Sequence, residues 1–381
     1  MSLVICNRAR YEDSDLKEKI FSVLETMDEG RIVSGCSVLV KPNLLGPAAP
    51  EEAIVTHPLI VRHTVQYALE KGAKVQVSDS PAMGPFKRAL KASGIAAALE
   101  DLEVECKELK SSRFVDVGEP FGRIELAEDV LDADVVINLP KLKTHSQMLL
   151  TLGVKNLFGC VVGLRKPEWH FRAGIERDTF AMLLVRICQK VAPAITLIDG
   201  ILALEGAGPG KGGRPKEVGW LFGSNEPFAL DRAVCQALGI QPLDLPTHAA
   251  AVKIGLLDRA PEMRGAFPRI SDFMLPEIGS LVFGPAWTHS LSRKHLLQRP
   301  VTEKSLCKSC GDCVRYCPAH AISQTGTEIR FDYDRCIRCY CCIEVCPHGA
   351  LHAEEPLLGR VLKRLIRSEE RRVGKECRSR W

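Results

Sequence analysis

The sequence has no run of about 18 apolar residues, the length a membrane-crossing helix needs, so a transmembrane segment is not expected. It also lacks the basic start and long apolar core of a secretory leader. The chain opens instead with Met1-Ser2-Leu3-Val4-Ile5-Cys6. The expected location is therefore the cytoplasm. There is little excess charge. The formal net charge is +4, and three of those charges sit in the last 15 residues, Arg367 to Trp381. The body is near +1, which gives no argument for nucleic acid. No Walker A loop is present either. The glycine-rich stretch Glu205–Gly213 has the wrong spacing before Lys211, and Gly212 stands where Ser or Thr is required. This stretch reads as an anion-cradling lid or a plain surface loop.

The terminal stretch RSEERRVGKECRSRW resembles the in-frame translation of a sequencing-library adapter. Residues 367–381 are accordingly left out of the fold reasoning. Residues 357–366 carry apolar side chains at helical spacing with Arg360, Lys363 and Arg364 opposite, which reads as an amphipathic basic helix. Residues 286–300 read as a linker.

Cysteine is abundant and uneven. Of 16, nine lie between Cys307 and Cys346. In a cytosolic chain such crowding points to metal rather than disulfides. Cys6, Cys36 and Cys188 sit in apolar stretches and are expected in the core. Cys307, Cys310, Cys313 and Cys317 precede Pro318; Cys336, Cys339, Cys342 and Cys346 precede Pro347. Each set fits C-x2-C-x2-C-x3-C-P, and each second-set cysteine lies 29 residues after its first-set partner. The repeat predicts two half-domains around a pseudo-twofold axis. Three thiolates on one short loop can hold three irons of one cubane, while the fourth reaches the other cluster. Two four-thiolate zinc sites would also use eight cysteines, but zinc does not need this triplet-plus-Cys-Pro arrangement. The pattern is similar to two-cluster bacterial ferredoxins. That resemblance implies one [4Fe–4S] cluster on Cys307, Cys310, Cys313 and Cys346, and a second on Cys336, Cys339, Cys342 and Cys317. Cys341 is extra and is expected to point away. Glu328 to Tyr333 alternates like a half-exposed strand, with Phe331 and Tyr333 covering a cluster.

Residues 1–285 alternate strand-like and helix-like segments, which predicts an α/β fold with a largely parallel sheet and flanking helices. Residues 301–356 form a small α+β ferredoxin-like domain. Thr56 to Leu69 reads as a helix with Thr56 as N-cap, Pro58 in the first turn and Gly72 at the stop. Four apolar runs, Val38–Val40, Val75–Val77, Val135–Ile137 and Ile195–Ile198, each end in polar residues. Open α/β sheets bind ligands beyond the carboxyl ends of their strands. Lys41, Asn43, Asp79, Asn138, Lys143 and Asp199 are thus candidate binding residues, and Lys141, His145 and Lys155 candidate catalytic ones. Lysines beside backbone amides suit a small anionic ligand.

Lys41-Pro42-Asn43, the Asp79 segment, Asn138 to His145, Gly153 to Gly159, and Asp199-Gly200 through Pro209 look like the family catalogued as domain of unknown function 362. The resemblance implies an iron–sulfur protein and names no reaction. A fainter similarity runs to nickel-pincer lactate racemases, where Lys155, His145 and His170 would take the cofactor-side roles. The leading expectation is an iron–sulfur oxidoreductase with a ferredoxin or flavoprotein partner and room for an additional flavin or metal cofactor. The alternatives are an electron-carrier subunit of a larger redox complex, and a non-redox enzyme with structural clusters.

Overall fold

The computed structural model describes residues 2–163, 165–173, 176–256, 260–276 and 297–359. The chain divides into two compact units, residues 1–276 and 277–381. The expected linker core (286–296), most of the basic helix (360–366) and the terminal stretch (367–381) lie outside the described residues.

The strands of the first unit are β1 (Leu3–Arg8), β2 (Ser37–Pro42), β3 (Lys74–Asp79), β4 (Glu105–Glu108), β5 (Ser112–Asp116), β6 (Arg123–Ala127), β7 (Val135–Leu139), β8 (Lys141–His145), β9 (Leu149–Thr151), β10 (Ile195–Gly206), β11 (Gly213–Ser224) and β12 (Glu262–Gly265). Its helices are α1 (Leu16–Asp28), α2 (Pro58–Glu70), α3 (Phe86–Ala92), α4 (Ile95–Ala98), α5 (Glu128–Asp132), α6 (Gly153–Asn156), α7 (Arg165–Ala173), α8 (Arg177–Val191), α9 (Pro227–Ala237) and α10 (Pro246–Lys253). The main sheet runs in the order β12-β1-β11-β10-β7-β2-β3-β4. From β10 across β7, β2 and β3 to β4 every neighbour is parallel. β11 folds back antiparallel on β10, and β1 runs antiparallel to β11. The expected parallel α/β core is therefore present, with an antiparallel extension at one side.

Side chains alternate across the sheet as a strand's period of two requires. Val38, Val40, Val75, Val77, Val135, Ile137, Ile195 and Leu197 share one core with Ile20, Val23, Leu24 and Met27 of α1 and with Ile60, Val61 and Val65 of α2. Leu39 and Val136, one residue out of phase, join the opposite core with Phe180, Leu183, Leu184 and Ile187 of α8. Burial on both faces explains why the strands read as continuous apolar runs.

α2 starts later than expected. His57, not Thr56, is the N-cap, its ring accepting from Leu59 N, and Pro58 takes the first helical position. Thr56 is instead an interior tie, donating to Leu139 O at 2.7 Å and accepting from Asn43 N at 2.8 Å. Gly72, just past the helix end, has φ +79, the left-handed value that ends helices.

The second unit contains β13 (Arg299–Thr302), α11 (Asp312–Arg315), β14 (Ile322–Thr325), β15 (Glu328–Phe331), α12 (Cys341–Glu344) and β16 (Leu351–Glu354). Each element of the first half recurs 29 residues later in the second. The halves exchange partners: β13 pairs with β16, and β14 with β15. This crossed pairing is the pseudo-twofold arrangement the repeat predicted.

Candidate functional site

In the second unit the exchanged strands bring each fourth cysteine across to the other loop. Cys307, Cys310, Cys313 and Cys346 line one small cavity together with Ile329, Ala350 and Leu351. Burial pushes the Cys313 thiol up to about 11, and Cys310, Cys346 and Cys307 are its sulfur neighbours. Cys317 is likewise raised by burial and faces Cys339 and Cys336. Cys342 is raised by burial and then by Cys339, Cys336 and Cys317. Buried thiols that resist ionisation on their own suit a group whose iron would stabilise them as thiolates. Backbone N–H groups of Ala321 and Ala350 donate to Cys317 and Cys346 at 3.3 Å each, the same contact in both halves. Among the described residues no three side chains gather closely enough to hold a single metal ion. In a cubane each thiolate takes its own iron, so the ligands stand further apart. Cys341 does not point away: it is buried, and its thiol hydrogen-bonds Cys339. Phe331 packs on this cysteine core and stacks on Tyr333.

In the first unit the order of strands reverses between β2 and β7, the kind of switch point where α/β sheets open a crevice. Lys41 of β2 and Asn138 of β7 stand opposite each other there. Their side chains do not form an open basic patch. Lys41 is fully buried and pairs with Asp79 at 2.9 Å. Lys141 is fully buried and pairs with Asp199 at 2.8 Å. Lys143 donates to Asn43 Oδ1 at 2.8 Å and to Ile54 O at 2.7 Å. Asn43 then donates to Asn156, and Asn156 to Asn138. Asn138 donates to Gly153 O at 2.9 Å. Seven of the nine residues predicted from sequence are thus held in three buried networks, the Lys41–Asp79 pair, the Lys141–Asp199 pair and the Lys143–Asn43–Asn156–Asn138 chain. A buried network of this kind must be fully bonded, because an unpaired charge or amide there is costly.

Lys155 lies apart, over the rings of Phe158 at 5.4 Å and Phe180 at 5.8 Å. His170 packs on Phe180, with ring centroids 4.1 Å apart. His145 is buried at the end of β8, its Nδ1 accepting from Gln147 N and Met148 N. The glycine-rich stretch is the β10–β11 turn rather than a lid. Ser146 donates to Gly208 O, Gly208 N donates to Thr144, and Lys211 pairs with Glu52.

A cavity of about 600 Å3 opens beyond the end of β1, lined by Arg8, Arg10, Tyr11, His57, Leu202 and Glu217 among others. Tyr11 and His57 stack at its wall, centroids 3.5 Å apart. Behind them, Tyr11 donates to Asp199 at 2.7 Å and accepts from Lys141 at 3.0 Å. The His57 backbone N–H also reaches Asp199, at 2.9 Å. Burial opposes ionisation of Asp199, but Lys141 and these donors outweigh it and hold the carboxylate ionised. Burial, then the neighbouring Asp199 charge, raises Tyr11 well above its usual range. Burial pulls His57 down to about 4, so it is neutral at neutral pH. Lys141 and Asp199 thus sit one bond behind the wall of the cavity.

Sequence reasoning missed Tyr11, His57, Lys166 and Asp231. Lys166 donates to Ser80 O and Oγ at 2.6 and 2.8 Å, and burial pulls it down to about 8. Asp231 accepts from Gly153 N at 2.7 Å and Val154 N at 3.1 Å, holding the start of α6. Burial pushes Asp231 up to about 8 against those two bonds. Its folded value lies above the unfolded one, so its stabilisation is complete below about pH 4 and is lost as pH rises through about 8. The urea midpoint should therefore fall between about pH 6 and about pH 8, with a smaller fall in Asp231→Asn. Equal falls in both proteins would contradict this assignment.

Gly159 packs against the Lys41–Asp79 pair: a Cβ there would stand 2.3 Å from Asp79 Oδ1 and 2.6 Å from Lys41 Nζ. Gly159→Ala should cost about 1–3 kcal/mol by overpacking, read as a lower urea midpoint. Gly30→Ala is the control for glycine replacement without crowding, having nothing within 4 Å; at φ +75 it still bears backbone strain.

Comparison with known proteins agrees with the two-unit organisation. The family model described as domain of unknown function (DUF362) matches residues 38–236, and the 4Fe-4S dicluster domain model matches residues 306–350. The thylakoid-associated protein sll1697 of Synechocystis sp. is 37% identical over 284 residues, 73% of this chain and 88% of that protein. The pyruvate synthase subunit PorD of Thermotoga maritima is 41% identical over 56 residues, 14% of this chain and 57% of that protein. The lactate racemase apoprotein from Thermoanaerobacterium thermosaccharolyticum aligns at a TM-score of 0.38 and 12% identity, over 60% of this chain and 55% of that one. That likeness is too slight to carry an argument. No described helix is long and apolar enough to cross a membrane. The dicluster domain implies two [4Fe–4S] clusters in the second unit. With its model matching more than half of the sequence, the chain belongs to the family described as domain of unknown function (DUF362), joined to a C-terminal 4Fe-4S dicluster domain.

Proposed function

We propose that this chain is a cytoplasmic iron–sulfur oxidoreductase. It exchanges electrons with a ferredoxin or flavoprotein partner and acts on a small anionic substrate or cofactor held in the α/β unit. The [4Fe–4S] groups, when bound, supply one-electron chemistry. The observation that carries the reading is the buried Lys141–Asp199–Tyr11 network standing behind a cavity edged by Arg8 and Arg10. Arg8 and Arg10 offer paired donors to one anionic group, while Glu12, Glu51 and Glu217 on the same lining restrict where that group can sit. Tyr11 lends a proton to the bound molecule only when its hydroxyl turns from Asp199 toward the cavity, and Lys141, 3.0 Å away, then returns one to it. Asp199 fixes both donors. Lys41, Asn43, Asp79, Asn138 and Lys143 are tied into buried bonds at the strand ends, and neither they nor Lys155 and His145 line this cavity.

The test starts from anaerobically reduced full-length protein mixed with single small anions: 2-oxo acids, hydroxy acids and phosphate esters. One class should reoxidise it, followed by the return of visible absorbance. Tyr11→Phe should slow that step by about 10²-fold at unchanged iron content, and Lys141→Met should slow it as well. Reoxidation equally fast in both variants would sink the cavity assignment. A second reading, a carrier subunit of a larger redox complex, is favoured by the likeness of the cysteine unit to PorD. It predicts a stable partner on purification and no response to any small anion.

A further inference from the structure

The two cysteine loops are copies offset by 29 residues, yet they differ where a side chain meets a ligand sulfur. Two residues after the second cysteine, the first loop has Asp312 and the second has Cys341. The Asp312 carboxylate stands 3.9 Å from Cys310 Sγ. The Cys341 thiol hydrogen-bonds Cys339, and its backbone N–H bonds the same residue. One loop therefore sets an anion beside its ligand and the other sets a donor. Asp312 and Cys341 occupy equivalent positions in the repeat, and three residues on, Arg315 of the first loop is replaced by Glu344 in the second, a second difference between the two sites.

We propose that Cys341 and Asp312 set the two clusters apart in potential. Cys341 raises that of the cluster on Cys336, Cys339, Cys342 and Cys317, and Asp312 lowers that of the cluster on Cys307, Cys310, Cys313 and Cys346. The electron then rests on the second of the two loops. Reduction adds one negative charge to a cluster. A donor on a ligand sulfur stabilises that charge, and a neighbouring carboxylate opposes it. Of the other charges near the loops, Arg338 acts in the same direction as Cys341, whereas Glu344 and Arg315 act against it, and all three stay in place in every variant below. In the second loop Arg338 is buried, donating to Tyr333 O and Cys336 O, while Glu344 of α12 faces Cys339 and Cys341. In the first, Arg315 stands 3.8 Å from Asp312, mostly exposed. Solvent works the other way, because Cys310 is exposed while Cys339 and Cys342 are buried. Side-chain replacements that leave burial alone separate the two effects.

The inference rests on the assignment of Cys339 and Cys310 as ligands, so iron is counted in every variant. Full-length protein is titrated anaerobically, with each reduction step followed by electron paramagnetic resonance. Cys341→Ala should move the higher midpoint to more negative potential and leave the lower one in place. Cys341→Ser, which keeps a donor, should move it less. Asp312→Asn should move the lower midpoint upward. The proposal is overturned if Cys341→Ala leaves both midpoints unchanged or shifts the lower one, or if the serine and alanine variants behave alike. Loss of about half of the iron in Cys341→Ala would overturn it differently, by showing that Cys341 is itself a ligand.

Discussion

Replacing Cys346 with serine should reduce the iron content from about eight to about four atoms per chain, and the cluster lost should be the one on the first loop. Cys346 lies in the second motif, so sequence proximity alone would assign it to Cys336, Cys339 and Cys342. The fold argues otherwise. β13 pairs with β16 and β14 with β15, which carries each fourth cysteine across the pseudo-twofold. Cys346 shares its cavity with Cys307, Cys310 and Cys313. Double variants decide between the two assignments. Cys346→Ser with Cys307→Ser should lose no more iron than either alone, because both serve one cluster. Cys346→Ser with Cys339→Ser should lose nearly all of it. If the first pair empties both sites and the second leaves about four irons, the ligand sets are uncrossed.

The second large effect is on stability. Lys141→Met should destabilise the first unit by about 3–5 kcal/mol, and Asp199→Asn by a similar amount. Both side chains of this pair are fully buried, so removing one charge strands the other in a low-dielectric interior. Asp199 also accepts from Tyr11 and from the His57 backbone, so its loss leaves further donors unpaired. With a denaturant slope of about 1–3 kcal/mol per molar urea, the midpoint should drop by roughly 1 M or more. The double variant Lys141→Met/Asp199→Leu should recover much of the loss, since an apolar pair leaves no buried charge. Lys17–Glu70, exposed on both sides at 3.0 Å, serves as the comparison. Breaking it should cost under about 1 kcal/mol. Equal losses at the two pairs would mean that Lys141 and Asp199 are better solvated than their burial indicates.

Both effects concern features the sequence revealed unequally. The eight cysteines were legible because cubane ligation imposes a fixed spacing, and the 29-residue offset announced the repeat. The parallel sheet was legible from apolar runs such as Val38–Val40 and Val135–Ile137, which two-faced burial requires. The strand ends named Lys41, Asn138, Lys141 and Asp199, and each is held in a buried pair or amide bond. Their pairing was not legible. Lys141 meets Asp199 because β8 runs beside β10, a partnership that local pattern does not encode. Tyr11 and His57 went unnoticed for a similar reason. Tyr11 follows a strand at the other side of the sheet order, and His57 looked like the residue after a cap when it is the cap itself. The usable signal was an aromatic residue just past a strand's carboxyl end. Asp231 lies on α9 and reaches back to the start of α6, a contact across nearly eighty residues. Cys341 was misjudged because spacing rules describe ligands and are silent on the groups that bond to them.

The most direct measurement is iron, acid-labile sulfide and zinc analysis of protein purified without air, followed by electron paramagnetic resonance before and after reduction. Two clusters predict about eight irons and about eight sulfides per chain, a brown colour, and a paramagnetic signal that appears when dithionite is added. Colourless protein holding zinc, with no signal on reduction, would contradict the electron-transfer account at its root.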